Sequence, residues 1–390
     1  MFHDVQTLNR EECRLIEDGM LQAVLMCEAS ELNEKDCLFF DIETTGFSAD
    51  TSFIFLIGCI CYDGNKWVFH QFIIRLVQEE RQLISSFYEL ALQYHCLIHF
   101  NGTAFDLPFL RKRSVTNLLK YPFDSFSSVD LYQRYRPMKD KLGLSHMNQR
   151  SLENYTGWMR KDQLSGKEIT SLFWEYTTSM GPELEKLLLL HNQDDLRGML
   201  HVLKLEACHT LSKGRILPGS TTIISEDYCC LQIQFTTILP LFHPLYFSDE
   251  KSSNDELLQN VCTNNNCITV YINGRSGQLK IPFFCGTLKY FFPDYKNYYY
   301  LPIEKQAIHK SIAAYVEKEY RVAARPENCF AEKSGHFLPQ PEAFFSPSFR
   351  ESYESKMQFF EYEVNLCGQQ SENLAAYTEI MLRTILNTSK

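Results

Sequence analysis

The chain has 390 residues, a hydrophobic share of 45% and a formal net charge of −10. Its length exceeds what a single hydrophobic core ordinarily serves, so we expect two domains. The negative charge excludes a protein that coats nucleic acid over a broad basic surface, whereas a local acidic site stays compatible with it.

The N-terminus and the longest apolar run predict a protein that is neither exported nor membrane-spanning. Residues 1–12 are interrupted by charges and contain no apolar signal core. The longest apolar run, residues 53–62, is too short to cross a bilayer. The 14 cysteines include no CxxC pair. We therefore expect free thiols, most of them buried, and a cytoplasmic location.

The predicted elements of the first 130 residues are a helix, three strands, a helix, a strand and a helix. They span, in order, about 9–28 with a possible Asn9 cap, 37–43, 53–62, 67–74, 79–94, 96–100 and 103–113. Strands two and three form a hairpin around residues 63–65. From the first strand onward, this order predicts an α/β (mixed α+β) fold of the ribonuclease-H-like type, with a mixed sheet flanked by helices.

The rest of the chain changes character after a linker at residues 216–220. Residues 128–131 are predicted to form a last strand, and the pattern up to residue 211 is helical. Beyond the linker, strands are predicted at 230–237 and around 268–281, and helices at 306–320 and 374–386. The predicted organisation is an N-terminal helical extension (1–35), a ribonuclease-H-like domain (36–213) and a smaller C-terminal α+β domain (220–390).

Two acidic residues follow the first buried strand. Side chains alternate between the faces of a strand, so Asp41 and Glu43 point the same way. Neighbouring carboxylates repel each other unless a cation lies between them, and carboxylate oxygens suit Mg²⁺ or Mn²⁺. A metal site and an ordinary acidic junction between a strand and a turn both fit this segment.

Two further segments carry candidate site residues. Asp106 lies in the first turn of a helix that follows the strand and turn ending at Asn101-Gly102. His191 and Asp195 are one turn apart on a late helix and share a face, whereas Asp194 is expected to point into solvent. Alone, each segment also fits an ordinary helix-terminal acid or a surface pair.

Together, the three segments resemble the DnaQ-like (DEDD) 3′-to-5′ exonuclease superfamily. The shared pattern is Asp41-x-Glu43, then Phe100-Asn101-Gly102 with Phe105-Asp106, then His191-x-x-x-Asp195, in that order. Residues 151–157, Arg160 and Ser165-Gly166 look like the bacterial YprB-type ribonuclease-H-like proteins. The resemblance covers about residues 36–205.

The resemblance implies a metal-dependent exonuclease acting on single-stranded nucleic acid, DNA or RNA. It implies two divalent cations, Mg²⁺ or Mn²⁺, with His191 as the general base. The implied metal ligands are Asp41, Glu43, Asp106 and Asp195, and the implied substrate contacts are Thr44, Thr45, Phe47 and Asn101. Members with His in this position usually have four residues between it and the last Asp. The three-residue spacing here is typical of members with Tyr.

Several alternatives stay open on the sequence alone. Asp130 is expected to support neighbouring residues and not to bind metal. The basic residues of segments 111–113 and 134–141 could follow a phosphate backbone or lie on solvated helix faces. The basic and aromatic residues of 298–333 could bind a single strand or could be core tyrosines and surface lysines. The chain could also be an inactive binding module or an endonuclease on the same fold.

Overall fold

A six-stranded sheet is the centre of the first of two units into which the chain divides, residues 1–209 and 210–390. The computed structural model describes residues 1–226, 229–248, 267–366 and 371–387. The strands of the sheet are β1 (Phe2–Thr7), β2 (Cys37–Thr44), β3 (Ile54–Tyr62), β4 (Trp67–Ile73), β5 (Cys96–His99) and β6 (Ser127–Asp130).

The strand order is β1-β4-β3-β2-β5-β6. The four strands from β1 to β2 pair antiparallel, and β5 and β6 continue from β2 in parallel. The sheet is therefore mixed, and the predicted fold class is confirmed. β2 lies inside the sheet between β3 and β5, and residues 37–40 are completely buried because helices also cover the faces of the sheet.

Helices flank this sheet. They are α1 (Arg10–Glu17), α2 (Met20–Glu28), α3 (Glu80–Ala91), α4 (Asp106–Thr116), α5 (Leu131–Tyr135), α6 (Gln149–Tyr155), α7 (Gly166–Ser179), α8 (Pro182–Val202) and α9 (Leu205–Ser212). The core combines the apolar strands with residues of α3, α4, α7 and α8. The predicted Asn9 cap is present: Asn9 accepts from the backbone N–H groups of Glu11 and Glu12.

The N-terminal segment differs from the helical extension predicted for residues 1–35. Phe2–Thr7 is a strand that pairs with Trp67–Ile73 of the sheet. The single helix predicted for residues 9–28 is broken at Gly19, whose φ is +86°. A left-handed backbone suits glycine and ends the first helix. The strand pairing joins residues about 66 positions apart, which no local pattern reveals.

The second unit is mostly antiparallel. Its strands are β7 (Thr222–Glu226), β8 (Cys230–Thr236), β9 (Leu245–Ser248), β10 (Thr269–Asn273), β11 (Ser276–Pro282), β12 (Phe284–Phe291), β13 (Tyr298–Leu301), β14 (Gln306–His309), β15 (Val322–Ala323), β16 (Phe330–Gln340) and β17 (Gln358–Glu361). They form three sheets, ordered β7-β8-β11-β10-β9, β12-β16-β17 and β14-β13-β15. The helices are α10 (Lys310–Ala313), α11 (Tyr362–Asn365) and α12 (Ser371–Asn387).

One predicted helix of this unit is wrong. The pattern of residues 306–320 predicts a helix, yet Gln306–His309 pairs antiparallel with Tyr298–Leu301, and only Lys310–Ala313 follows as an α-helix. Pairing with a neighbouring strand overrides a weak local preference. The helix predicted at 374–386 is confirmed by α12.

The expectation that most cysteines are buried is wrong, because half of the described ones are not buried. The cysteines of the described residues form no disulfide, and six of them, including Cys37, Cys59 and Cys96, are buried. Cys262 and Cys367 lie outside the described residues. Across the described parts of the chain, no helix combines the length and the apolar character that crossing a membrane requires.

Candidate active site

Asp41 and Glu43 lie at the end of β2 and face the same side of the sheet, with Ile42 buried between them. The pairing of β2 with β3 shifts register between Glu43 and Thr44. Such an irregularity ends regular pairing and redirects the chain. The two carboxylates are therefore presented where the strand leaves the sheet, as the alternation predicts.

Asp106 is the first residue of α4, and it reaches back to β2. Its Oδ1 atom accepts a hydrogen bond of 3.2 Å from the Ile42 backbone N–H, between the two acidic residues of the strand. The turn before α4 requires a left-handed backbone at Asn101, whose φ is +60°. Asp130 holds this turn by accepting from the N–H groups of Asn101 and Thr103. Asp130 thus has the supporting role predicted for it.

The helix α8 brings the third segment to the same place. His191 Nε2 lies 3.6 Å from Glu43 Oε1 and 3.5 Å from Asp195 Oδ2. One ligand atom from each of these three residues lies within 4.8 Å of the other two. The one-turn spacing of His191 and Asp195 therefore places both side chains over the end of β2. We call Asp41, Glu43, Asp106 and Asp195 the carboxylate cluster.

A residue that the sequence did not single out orients His191. Asp162 is buried, and its Oδ2 lies 2.6 Å from His191 Nδ1. Asp194 holds the segment that carries Asp162, because its Oδ2 accepts from the backbone N–H groups of Lys161 and Asp162 at 2.6 and 2.7 Å. The expectation that Asp194 is solvated is wrong: it is only 1% exposed.

Arg160, from the same segment, places a cation against the carboxylate cluster. Its guanidinium lies 2.7 Å from Asp195 Oδ1 and forms a two-pronged ion pair with Glu153 at 2.5 and 2.7 Å. Glu153 is only 1% exposed and lies against Gly198, where any Cβ would be 1.9 Å from its Oε1. The close approach of α6 and α8 depends on that glycine.

Two side-chain amides linked by hydrogen bonds hold Asp41 in place. Asn192 Nδ2 donates to Asp41 Oδ2 at 3.0 Å, and Gln71 Nε2 donates to Asn192 Oδ1 at 3.0 Å. Both amides are completely buried. Gly58, which pairs with Asp41 across the strands, leaves the space for them, since a Cβ there would lie 1.9 Å from Asn192 Oδ1.

Burial and mutual repulsion raise the pKa values of three cluster members. The pKa of Asp41 is raised well above its usual range by burial and then by Asp195, Glu43 and Asp106. The pKa of Glu43 is raised in the same way by burial, Asp195 and Asp106, against an opposing effect of Arg160. Burial raises the pKa of Asp106 to about 7. A divalent cation among these oxygens would relieve the repulsion.

The donor set of the cluster fits a hard divalent cation. The cluster and His191 together offer carboxylate oxygens from three separate segments and an imidazole nitrogen, with no thiol among them. The opposing positive charge is the guanidinium of Arg160, which contacts Asp195. When ionised, the four carboxylates outweigh this one cation. The excess negative charge and the raised pKa values therefore fit residues that bind such a cation.

A cavity of about 560 Å³ opens beside the cluster. Its walls come from β2, the turn before α4, α5 and the segment before α6, and are formed by Asp41, Ile42, Phe100, Asn101, Phe105, Asp106, Tyr132, His146, Met147, Asn148 and Gln149. It combines aromatic rings with polar groups and could accept a planar ring with a polar edge.

Of the four predicted substrate contacts, Asn101 lines this cavity. The hydroxyl groups of Thr44 and Thr45 hold the turn after β2, through hydrogen bonds to Gly46 O at 2.9 Å and from Phe53 N at 3.1 Å. The Phe47 side chain is 96% exposed, with its ring centroid 6.4 Å from that of Phe105. It is therefore accessible and lies next to a ring that lines the cavity.

Several of the basic residues considered for phosphate contacts have carboxylate partners. Arg113 pairs with buried Glu80, and Arg134 pairs with buried Glu206. Arg111 and Lys112 pair with exposed acidic residues. Arg113 and Arg134 are thus structural: largely buried in these ion pairs, they fit neither a phosphate contact nor a solvated helix face. In the second unit, Arg321 lies over the ring of Tyr299.

The residues missed by sequence reasoning are polar side chains inside apolar or helical segments. Gln71 interrupts the apolar strand β4, and Asn192 follows His191 directly in α8. A buried amide needs hydrogen-bond partners, so polar residues at core positions are a usable signal. Asp162 and Glu153 carry no such signal, because their segments are otherwise polar.

Residues 38–206 match the family model of the RNase_H superfamily. Solved structures similar to this chain include the family B DNA polymerase from the hyperthermophilic archaeon Pyrobaculum calidifontis, with 14% identity and a TM-score of 0.37 over 50% of this chain and 33% of that one. Product-bound exonuclease I has 15% identity and a TM-score of 0.27 over 40% of this chain and 46% of that one. The chain thus spans less than half of each. No curated protein is detectably similar in sequence.

Proposed function

We propose that residues 38–206, which match the RNase H superfamily, form a metal-dependent 3′-to-5′ exonuclease that hydrolyses single-stranded nucleic acid. The observation that carries the proposal is the carboxylate cluster itself. Three distant segments bring four carboxylates together, and their burial and repulsion raise the pKa values of three of them. Such an arrangement costs stability in the absence of a cation, which is typical of a functional site.

The cluster would hold two divalent cations, Mg²⁺ or Mn²⁺. When bound, such cations supply polarisation of the phosphodiester and activation of water. Asp41 and Glu43 have the geometry for this role because they project together from a buried strand. Asp106 is held by Ile42 N–H, and Asp41 by Asn192, so both carboxylates are oriented before a ligand arrives.

His191 is proposed as the general base. We assign the proton of its neutral ring to Nδ1, because the Asp162 carboxylate 2.6 Å away accepts a hydrogen bond. The lone pair then lies on Nε2, which faces Glu43 and Asp195. This is the tautomer that can accept a proton from water at the cluster. Asp162 stabilises the imidazolium that results.

The terminal nucleotide would enter the cavity beside the cluster. Phe100, Phe105 and Tyr132 supply ring faces, on which a base can stack regardless of its identity. Asn101 supplies a polar edge, and the ring centroid of exposed Phe47 lies 6.4 Å from that of Phe105. These features support a site for the end of a single strand. A duplex would have to open by a base pair before its end could enter.

The test uses single-stranded DNA and RNA oligonucleotides labelled at the 5′ end. We expect a ladder that shortens from the 3′ end in Mn²⁺ or Mg²⁺ and no products in EDTA. Asp41→Asn and Asp195→Asn should each lower the rate by at least about a hundredfold. Asp124→Asn is the matched control, because that carboxylate is exposed and pairs with Arg111 away from the cluster.

Three other outcomes would contradict the proposal in different ways. Internal fragments without a ladder would indicate an endonuclease. Binding of the oligonucleotide without any metal-dependent cleavage would indicate an inactive binding module. Shortening that starts at the 5′ end, seen with a 3′ label, would reverse the polarity.

A further inference from the structure

We propose that Arg160 is a resident counter-cation of the carboxylate cluster, whose guanidinium competes with divalent cations for Asp195 and is restrained by Glu153. The inference rests on the proposed metal-dependent function and adds a residue that sets the metal affinity. Arg160 is thereby a positioning residue, because it acts through Asp195.

The Arg160 guanidinium contacts two carboxylates on different helices, Glu153 of α6 and Asp195 of α8. One amino group lies 2.7 Å from Asp195 Oδ1, one of the two carboxylate oxygens of this proposed metal ligand. The same guanidinium forms hydrogen bonds of 2.5 and 2.7 Å with both oxygens of Glu153. Its side chain is 9% exposed, so these interactions take place largely out of water, where charges act strongly.

The surroundings of Glu153 show that this arrangement is built into the fold. Gln149 Nε2 donates to Glu153 Oε1 at 2.9 Å and to the Asp195 backbone carbonyl at 2.6 Å. Gly198 provides the space against α8 that the Glu153 carboxylate occupies. Glu153 is therefore held in place and cannot follow Arg160 toward the cluster.

The segment that carries Arg160 is also anchored independently of it. Asp194 accepts from the backbone N–H groups of Lys161 and Asp162, and Arg150 donates to the Leu164 carbonyl at 2.7 Å. Replacing the guanidinium should therefore leave the backbone where it is. The change at the cluster is then mainly one of charge.

Removing the charge of Arg160 and removing the charge of Glu153 should have opposite effects on the affinity for a divalent cation. Removing the positive charge of Arg160 leaves the cluster more negative and releases Asp195, so a divalent cation should bind more tightly. Removing the negative charge of Glu153 leaves Arg160 uncompensated and strengthens its hold on Asp195, so the cation should bind more weakly. A purely structural ion pair would weaken cation binding in both variants.

The experiment is isothermal titration calorimetry, in which the full chain is titrated with Mn²⁺ alone. We expect Arg160→Gln to lower the dissociation constant about tenfold and Glu153→Gln to raise it about tenfold. Glu153→Gln is isosteric and keeps an oxygen for Gln149. Lys186→Gln is the control for loss of one positive charge, because Lys186 is exposed on α8 and pairs with Glu183. The Mn²⁺ affinity of this variant should match that of the wild type.

The four results separate this inference from the proposed function. Weaker or unchanged Mn²⁺ affinity in Arg160→Gln, with circular dichroism showing a folded chain, overturns the role of Arg160 alone. If Arg160→Gln does not fold, unchanged or tighter affinity in Glu153→Gln overturns it. A wild-type chain that binds Mn²⁺ but cleaves no oligonucleotide overturns the proposed function alone. A wild-type chain that binds no Mn²⁺ overturns both.

Discussion

The Nδ1 atom of His191 lies 2.6 Å from the Asp162 carboxylate, although the two residues are 29 positions apart and on different elements. Asp162 belongs to a segment without regular structure, whereas His191 lies inside the long helix α8. The contact orients the ring and directs Nε2 toward the carboxylate cluster. The orientation of Nε2, the proposed proton-accepting nitrogen of His191, therefore depends on Asp162.

Asp162→Asn should lower the nuclease rate about a hundredfold without unfolding the chain. The asparagine amide can donate to Nδ1, which would favour the ring tautomer with its proton on Nε2 and block proton acceptance there. Single-turnover cleavage measures the effect, and Mn²⁺ titration should show an affinity close to the wild type. A wild-type cleavage rate in this variant would remove the orienting role of Asp162.

The metal-free protein should lose stability as the pH rises toward 8. The pKa of Asp106 is raised from 3.8 to about 7 by burial, so between these values the folded state holds a proton that the unfolded state has lost. Stability therefore decreases with rising pH over this window. Asp41 and Glu43, whose pKa values are also raised, act in the same direction. Thermal melting in EDTA at several pH values measures this dependence.

Asp106→Asn isolates one part of this effect. In EDTA we expect the variant to melt at a higher temperature than the wild type at pH 8, because the buried charge is gone. At pH 5 the two should melt alike, since Asp106 is then protonated and Ile42 keeps its hydrogen-bond acceptor. Equal melting temperatures at both pH values would show that ionised Asp106 does not destabilise the metal-free fold.

Gly58→Ala should disturb the site from β3, where Gly58 pairs with Asp41. A Cβ at this position would lie 1.9 Å from Asn192 Oδ1 and 2.5 Å from a Leu196 methyl group, so the strand or α8 must shift. We expect a loss of about 1–3 kcal/mol in the free energy of unfolding and a lower cleavage rate, because Asn192 orients Asp41. Denaturant unfolding and the labelled oligonucleotide measure the two effects.

Gly166→Ala is the matched control for that substitution. Gly166 begins α7, and among the described residues a Cβ added there would meet no heavy atom within 4 Å beyond its own helix and chain neighbours. Alanine at this position should therefore be neutral or slightly stabilising. A Gly58→Ala protein as stable and active as this control would mean that the close approach of Asn192 is not required.

A fragment ending at Gly219 should fold and show the same proposed metal-dependent cleavage as the full chain. All six strands of the mixed sheet and the whole carboxylate cluster lie within residues 1–209, which form one compact unit. Cooperative thermal unfolding and oligonucleotide cleavage, compared with the full chain, test this expectation. An aggregated or unfolded fragment would show that the first unit depends on residues 220–390.

Local patterns in the amino-acid sequence are enough to predict the central strands and the order of the site segments. The strands at 37–43, 53–62 and 67–74 agree closely with β2, β3 and β4, because burial on both faces of a sheet leaves long apolar runs. Asp41 and Glu43 share a face because side chains alternate on a strand, and His191 and Asp195 share one because they are a helical turn apart.

The partners of these side chains depend on the folded chain. The helix position of Asp194 predicts a solvated side chain, yet Asp194 anchors the segment that carries Arg160 and Asp162. The strand Phe2–Thr7 pairs with residues far along the chain. Helical or strand periodicity tells which face a residue occupies, but the group that it meets on that face comes from another segment. The hydrogen bonds and ion pairs around the carboxylate cluster join segments that are distant in the sequence. These segments come together only when the chain folds.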